Sequence, residues 1–406
     1  MRTYLVGGAV RDELLGLAVK ERDWVVVGES PESMVKRGFQ PVGKEFPVFL
    51  HPKTHEEYAL ARTEKKIAPG YRGFRIQSSP EVTLEQDLLR RDLTINAIAR
   101  DGQGRIIDPY HGRRDLDLRR LRHVSDAFCE DPVRILRVAR FSARYFHLGF
   151  RVADETMELM KSMVRAGEVD ALVPERVWAE FARALSEKTP AAFIRVLQEC
   201  DALEPLFPEI ACLFGESSDS ESDFGAASLR ALESAARISK QPEVRFAVLV
   251  YRLGQIPGGA SDSSQSGLRA LNRLCTGLRT PNAYRSLAAK VLCCRDLCEN
   301  LLRLSAREIL DLLQRVDALR QPRRLEAFIA ACHALSAERN PHALAAFAQG
   351  DFLIECQSQA LQIDGHSVLE RGFQGSEVGK ELSRLRIERL QALIERNEAR
   401  QRPVGP

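Results

Sequence analysis

Over its first hundred-odd residues the chain strings short apolar runs between turn-forming residues, which reads as mixed α/β. A strand over Thr3–Val6 meets Gly7-Gly8, and a short helix through Arg11–Leu15 stops at Gly16. Asp23-Trp24-Val25-Val26-Val27 is a β-rich run closed by Gly28, and Pro31–Arg37 reads as a second short helix. Phe46–Leu50 and Glu56–Arg62 follow as two strands joined by the turn-like residues 51–55. From about Thr83 onward the pattern is expected to turn helical and stay so. Asp131-Pro132 opens a long helix with apolar Ile135, Leu136, Val138, Ala139 and Tyr145 at the 3.6 period. Proline suits that first turn because its missing N–H would have no partner there. Two polar stretches, 215–228 and 254–267, read as surface loops within an α-helical second half, and there is no internal repeat. The expected fold class is α+β: a small mixed sheet with helices forms a head (1–125). An all-α neck (126–185), body (186–330) and tail (331–406) follow.

Composition narrows the class without naming a chemistry. The 406 residues are 44% hydrophobic and 28% charged, ordinary for a soluble globular protein of several domains. Apolar runs such as Phe246–Tyr251 are far too short to span a bilayer, so no membrane association is expected. The first strand begins so early that a secretory leader is not expected either, which points to the cytoplasm. Nine cysteines lie between Cys129 and Cys356 with no CxxC pair, and Cys293, Cys294 and Cys298 fall at helical spacing in an apolar stretch. They read as core thiols in a reducing compartment. The net charge of +3 says little, but the arginines cluster locally, and local fields govern the binding of a polyanion.

Glu21 and Asp23 stand at i, i+2 at the expected start of a strand, so both side chains point to one face of the sheet. Two such carboxylates can bridge metal ions about 4 Å apart, the separation used for in-line nucleotidyl displacement. Alone, an acidic pair is usually a solvated strand end. Upstream, however, Gly7-Gly8 opens a helix that carries Arg11. Glycine permits close backbone approach to phosphate, and a helix N-terminus favours negative charge.

The order strand, Gly-Gly, helix, strand, Glu-x-Asp in GGAVRD and KERDWVVVG resembles the head of the polymerase-β-type nucleotidyltransferases, in particular bacterial tRNA nucleotidyltransferases and poly(A) polymerases. The resemblance implies that Glu21 and Asp23 are catalytic and hold Mg2+, and that Gly8 and Arg11 face the nucleotide. Those families more often carry Asp at the first carboxylate; Glu21 is one methylene longer, which shifts its reach. Glu57 on the neighbouring expected strand is either a third acidic group facing the metals or a simple exposed strand residue.

Arg90-Arg91-Asp92-Leu93-Thr94-Ile95-Asn96-Ala97 matches the RRDxTINA signature of the same group. Guanidinium suits triphosphate oxygens and a carboxylate accepts from ribose hydroxyls; the resemblance gives Arg91 to the nucleotide and Asp92 to the sugar. Asp108–Leu116 resembles the family's DPxxGxxDL stretch and reads as a structural linker. Glu130-Asp131-Pro132-Val133-Arg134 carries the EDxxR motif, in which Asp131 and Arg134 are expected as i, i+3 neighbours on one helix face. Cytosine and adenine each set an amino donor beside a ring-nitrogen acceptor, which fits Asp131 accepting and Arg134 donating. Uracil and guanine present the reverse order, and each buried unpaired group would cost about 1–3 kcal/mol.

Arg137, Arg140 and Arg144 continue that helix and share with Arg134 an arc of about 120°. They read as a phosphate-contacting stripe or a solvated face, with Arg137 and Arg140 as further nucleotide contacts. Residues 63–80 correspond, by resemblance, to a flexible loop needed for switching to the final A, and their full length speaks against an enzyme that adds only CC.

Many bacterial members carry a metal-dependent phosphohydrolase domain marked by a His-Asp pair. Tyr251-Arg252 stand at the corresponding place here, and no histidine occurs between His147 and His333. The second half is therefore expected to be a helical RNA-binding body without hydrolase activity. Arg384, Arg386, Arg389, Arg396, Arg400 and Arg402 make the last helix basic, either as a solvated surface or as a contact with tRNA.

The function expected is template-independent addition of C, C and A to the 3′ end of tRNA from CTP and ATP, with Mg2+, by a monomer. The alternatives are a bacterial poly(A) polymerase and a catalytically inactive RNA-binding protein. The lack of a long basic N-terminal extension and of a Lys/Arg-rich tail block argues against the first. Intact Glu21, Asp23, Arg91, Asp131 and Arg134 argue against the second.

Overall fold

Successive strand side chains point to opposite faces, so the run Asp23–Val27 divides its apolar residues between two cores. Val25 and Val27 join Val6, Ala97 and Ala99 against Val82, Leu84 and Leu88 on one face; Val26 joins Met34, Phe39, Phe49 and Leu60 on the other. The computed structural model describes residues 1–42, 48–66, 74–215, 223–255, 263–340 and 344–401. The chain separates into two units, Met1–Phe207 and Pro208–Pro406.

The first unit is built on strands β1 (Arg2–Val6), β2 (Asp23–Val27), β3 (Gln40–Val42), β4 (Val48–Leu50) and β5 (Glu57–Leu60), a ribbon β6 (Arg62–Lys66) and β7 (Phe74–Ser78), and short strands β8 (Ala99–Arg100) and β9 (Ile106–Ile107). Seven of them form one mixed sheet in the order β3-β4-β5-β2-β1-β8-β9, with β2 and β5 parallel and the other neighbours antiparallel. Around it lie α1 (Gly8–Leu14), α2 (Pro31–Lys36), α3 (Leu84–Leu89) and α4 (Gly112–Asp117). Ser30 and Thr83 start α2 and α3 with capping boxes, each satisfying backbone N–H groups that a helix start leaves open.

After the head come α5 (Val133–Tyr145), α6 (Asp154–Arg165), α7 (Pro174–Leu185) and α8 (Ala191–Glu199). Ile135, Leu136, Val138 and Ala139 of α5 are fully buried, and each large aliphatic among them contributes about 1.5–3 kcal/mol by leaving water. Pro174 opens α7 at its first turn, with Glu175 there and Arg183 in the last turn, both complementing the helix dipole.

The α+β expectation holds, with three corrections to its details. The chain is not purely helical after Thr83: β8 and β9 complete the sheet, and Arg120–Leu121 pairs in parallel with Arg151–Val152. The strand carrying the acidic pair begins at Asp23, so Glu21 lies just outside it. The described C-terminal ends of the two polar stretches belong to helices starting at Phe224 and Ser263, whereas 216–222 and 256–262 lie outside the described residues.

In the second unit every described element is helical. Cys200, Cys275, Cys294, Cys298, Cys332 and Cys356 are buried free thiols, whereas Cys129 is half-buried and Cys212 and Cys293 are exposed, so these last two are not the core thiols expected. No helix among the described residues is long and apolar enough to cross a membrane.

Candidate active site

The sheet register sets one end of three strands side by side. Val6 at the end of β1 faces Asp23 at the start of β2, and Asp23 in turn faces Glu57 at the start of β5. Gly7, immediately after Val6, is thereby placed beside the acidic end of the sheet. Its φ of 65° is a conformation that costs an L-residue, and a Cβ built there would stand 2.8 Å from Arg91 Nη1.

Glu21, Asp23 and Glu57 line one cleft of about 780 Å³ together with Gly8, Arg11, Arg91, Asp92, Asp131, Arg134, Arg137 and Arg140. Every residue singled out in the sequence as a site candidate therefore reaches the same cavity, from two ends of the first unit's chain. Asp23 has a pKa above its ordinary value, because the cleft removes it partly from water and Glu21 adds like charge, with Arg91 opposing both.

The arginines are held in fixed attitudes by buried carboxylates. Asp87, fully buried on α3, accepts from Arg90 Nη2 at 2.6 Å and Arg91 Nη2 at 3.1 Å. Burial alone would raise the pKa of Asp87, but the two guanidiniums outweigh it and hold the group ionised. Arg11, 3% exposed, pairs with Asp12 at 2.8 Å, donates to Asn96 Oδ1 and lies over the rings of Phe141 and Tyr145 of α5. Asp12 also accepts from Arg144 at 3.1 Å and from the Tyr145 hydroxyl at 2.9 Å.

Asp92 is the junction of head and neck. Its Oδ1 accepts from Leu93 N–H at 2.8 Å and Asn96 Nδ2 at 3.0 Å, while Oδ2 accepts from Arg137 Nε at 2.7 Å. Burial pushes its pKa up, but the Arg137 charge and these bonds more than offset that and hold the carboxyl well below the usual range. Its expected partner was a sugar; here its contacts are with the protein.

The arginine stripe of α5 faces the cleft, as its 3.6 periodicity implies, and each member has an internal anion or carbonyl. Arg140 pairs with Glu180 of α7 at 2.6 Å, and Arg137 reaches the same carboxylate at 3.9 Å. Arg134 donates to the carbonyls of Ala127 at 2.8 Å and Arg90 at 2.6 Å. Asp131 departs from expectation: it is extended, with φ −123° and ψ 102°, and precedes α5, whose first residue is Val133. Pro132 caps the helix, so Asp131 and Arg134 are not i, i+3 partners on a helix face, though both line the cleft.

Asp131 is instead gripped by a residue the sequence reading did not single out. Arg176 of α7 donates through Nη1 to Oδ1 at 3.1 Å and through Nη2 to Oδ2 at 2.7 Å. Glu180 was missed as well. A signal for it exists: Val177, Glu180, Phe181 and Ala184 form the buried stripe of α7, and a carboxylate at such a position needs a charged partner.

Elsewhere the sequence motifs have structural duties. Asp108 accepts from the N–H groups of Gly112 and Arg113, and a Cβ on Gly112 would meet the Thr94 carbonyl at 2.2 Å, so the DPxxGxxDL stretch packs the head together. Tail residues Arg384, Arg386 and Arg389 bond within their own unit, to Glu381, to the carbonyls of Ala360 and Ile363, and to Gln359 and Gln362. Residues 67–73 of the switching segment lie outside the described residues, and 62–66 and 74–78 pair as the ribbon of β6 and β7.

The residues fit a divalent cation through two carboxylates rather than a cage. Among the described residues no three His, Cys, Asp or Glu side chains gather into a chelating group. That suits an ion such as Mg2+, which keeps several waters and takes one or two carboxylates plus substrate phosphate. Burial first, and then the like charge of Glu21, raise the pKa of Asp23 against the pull of Arg91, and a cation held there would favour its ionised form.

Comparison with known proteins finds relatives over the whole chain. Residues 3–122 match a family described as the poly A polymerase head domain, and residues 149–213 match one described as "Probable RNA and SrmB- binding site of polymerase A". The multifunctional CCA protein of Methylococcus capsulatus is 53% identical, covering 100% of this chain and 97% of its own length. That of Teredinibacter turnerae is 49% identical, over 97% of this chain and 98% of the relative. Among solved structures, an apo form of a CCA-adding enzyme superposes with TM-score 0.67 at 21% identity, covering 96% of this chain and 88% of that one. A complex of a CCA-adding enzyme with CTP gives 0.64 at 21% identity, over 96% and 87%. At that identity the structures establish the fold alone.

Proposed function

The chain belongs to the family of multifunctional CCA proteins, nucleotidyltransferases with a poly A polymerase head, and from that premise we propose how its cleft adds C, C and A to the 3′ end of tRNA from CTP and ATP. The observation that carries the reading is that one cleft joins the acidic sheet end of the head to Asp131, Arg134 and the arginine stripe of α5. Transfer chemistry and base selection then share a single cavity, and no nucleic-acid template is needed.

Glu21 and Asp23 would hold divalent cations, Mg2+ by their oxygen chemistry, and such ions would supply Lewis-acid activation of the attacking hydroxyl and charge neutralisation for the leaving pyrophosphate. Glu57 sits at their edge, one strand over from Asp23, and contributes charge to the same cleft. Arg91, set by Asp87, faces the triphosphate, and the backbone at Gly7-Gly8 leaves it room. Arg137 and Arg140 extend that cationic wall. Asp92 acts chiefly by fixing Arg137 and Asn96, and so positions the sugar side of the pocket.

Asp131 accepts the exocyclic amino group common to cytosine and adenine, and Arg134, anchored on two carbonyls, donates to the ring nitrogen beside it. Uracil and guanine would set carbonyl against carboxylate and N–H against guanidinium. Incubating the protein with tRNA that lacks its last three nucleotides tests this: CTP alone should extend it by two, and CTP with ATP by three. Extension by UTP at a comparable rate would defeat the base-reading assignment.

The head, neck, body and tail divide this labour, with catalysis in 1–125, base selection in 126–185, and tRNA binding by the body and the 331–406 tail, in a cytoplasmic monomer. The body carries no hydrolase site in this reading. Arg252 is buried against Glu338 at 2.8 Å, and Tyr251 sits against Arg295, which pairs with Asp296 at 3.0 Å, so the carboxylates at this place are already neutralised by arginines. A chromogenic phosphodiester offered with divalent metals should remain uncleaved.

A further inference from the structure

We infer that Arg176, on α7 and outside the motifs that mark the site, is a positioning residue that sets nucleotide selectivity by fixing the accepting atom of Asp131. The inference rests on the reading of Asp131 as the group that meets the base.

The hydrogen bonds of Asp131 locate its remaining capacity. Oδ1 accepts from Val133 N–H at 3.2 Å and from Arg176 Nη1 at 3.1 Å, which uses both of its lone pairs. Oδ2 accepts only from Arg176 Nη2, at 2.7 Å, and retains one lone pair. That lone pair is the one acceptor Asp131 has left to offer an exocyclic amino group. The bidentate fork prevents rotation about the carboxyl bond, because a turn would break two charge-assisted bonds at once. Without Arg176 the carboxylate keeps a single backbone bond, and Asp131 lies in extended chain ahead of α5, where helix geometry does not restrain it.

The source of the clamp is itself well anchored. Arg176 lies one turn from Glu180, which holds Arg140 at 2.6 Å, so α7 presents a cation to the acid that precedes α5 and an acid to the cations of α5. The i, i+4 spacing puts both on one face of α7, and apolar Val177, Phe181 and Ala184 bury that helix. A preorganised acceptor discriminates because the wrong base finds it unable to swing aside. A loose one would relax and admit the carbonyl edge.

The test compares kcat/KM for CTP and ATP with that for UTP and GTP on tRNA lacking its 3′ terminus, in Arg176→Gln, Arg176→Lys and Asp131→Ala. Arg176→Gln should lose about tenfold or more of the wild-type discrimination, the loss of one oriented hydrogen bond, with Tm unchanged. Arg176→Lys keeps the charge without the fork and should fall between. Wild-type discrimination in both Arg176 variants while Asp131→Ala loses it would overturn the inference and leave the base-reading role of Asp131 standing. If Asp131→Ala also keeps its discrimination, the base-reading role falls and the inference with it. A uniform loss of turnover in Arg176→Gln, with the ratio between nucleotides unmoved, would mean Arg176 only supports the fold and would overturn it as well.

Discussion

Arg137 Nε donates to Asp92 Oδ2 at 2.7 Å, a bond that reaches across 45 residues from the neck helix to the head. It ties the arginine stripe of α5 to the RRD segment, so the cleft is assembled only when α5 is docked on the head. Asp92 is nearly inaccessible and Arg137 about a third exposed, which makes the carboxylate the partner that suffers most when the other is lost.

Removing that cation should therefore be felt twice. Arg137→Ala leaves Asp92 buried without its counter-charge, at a cost on the order of 2 kcal/mol in chemical denaturation. It should also raise KM for both CTP and ATP, because the cationic wall loses a member.

The acid limb of stability follows from the same pair. The pKa of Asp92 is depressed in the folded protein, so its stabilisation is present above the ordinary carboxyl value of about 3.9 and is lost as pH falls through the folded value. Asp92→Asn should be less stable than wild type at neutral pH, and the gap should close on acidification. A gap that widens toward low pH would contradict the assignment.

Two glycines in the head should fail differently. Gly7→Ala forces a residue with a Cβ into φ 65° and pushes Arg91 Nη1, so about 1 kcal/mol of stability should go along with a higher KM for nucleotide. Gly112→Ala meets backbone, the Thr94 carbonyl, and should lower the melting temperature of the head far more. Where Gly112→Ala still folds, its KM should be near wild type.

Much of this was legible in the chain because it is local. Gly7-Gly8, the Glu-x-Asp pair and the RRD segment are each runs of a few consecutive residues, and the 3.6 period of Arg134, Arg137, Arg140 and Arg144 sets them on one face toward the cleft. What was hidden depends on partners far along the chain. Arg176 meets Asp131 across 45 residues, and Arg140 meets Glu180 across 40. β8 and β9, two residues each, are too short to show an alternating period, and only the sheet edge makes them strands. Asp131 lies off the helix that the Asp-Pro pair suggests, because its own backbone is extended and Pro132 caps α5.

Metal dependence should trace to the strand end. Mg2+ should raise the melting temperature of the wild type by relieving the uncompensated charge at Glu21 and Asp23, and Asp23→Asn should abolish that shift. The same substitution should lower turnover on the order of a thousand-fold or more, as several kcal/mol of charge stabilisation disappear. Glu57→Gln, at the margin of the pair, should cost less; an equal loss would promote Glu57 to a full metal ligand.

One cleft is proposed both to transfer nucleotides and to select them. The most direct measurement gives the protein tRNA ending at the discriminator base with all four ribonucleoside triphosphates and Mg2+, then sizes and sequences the products. Growth by three nucleotides, read as C-C-A, followed by arrest, is the result predicted. A long run of A, incorporation of U or G, or no extension would contradict it.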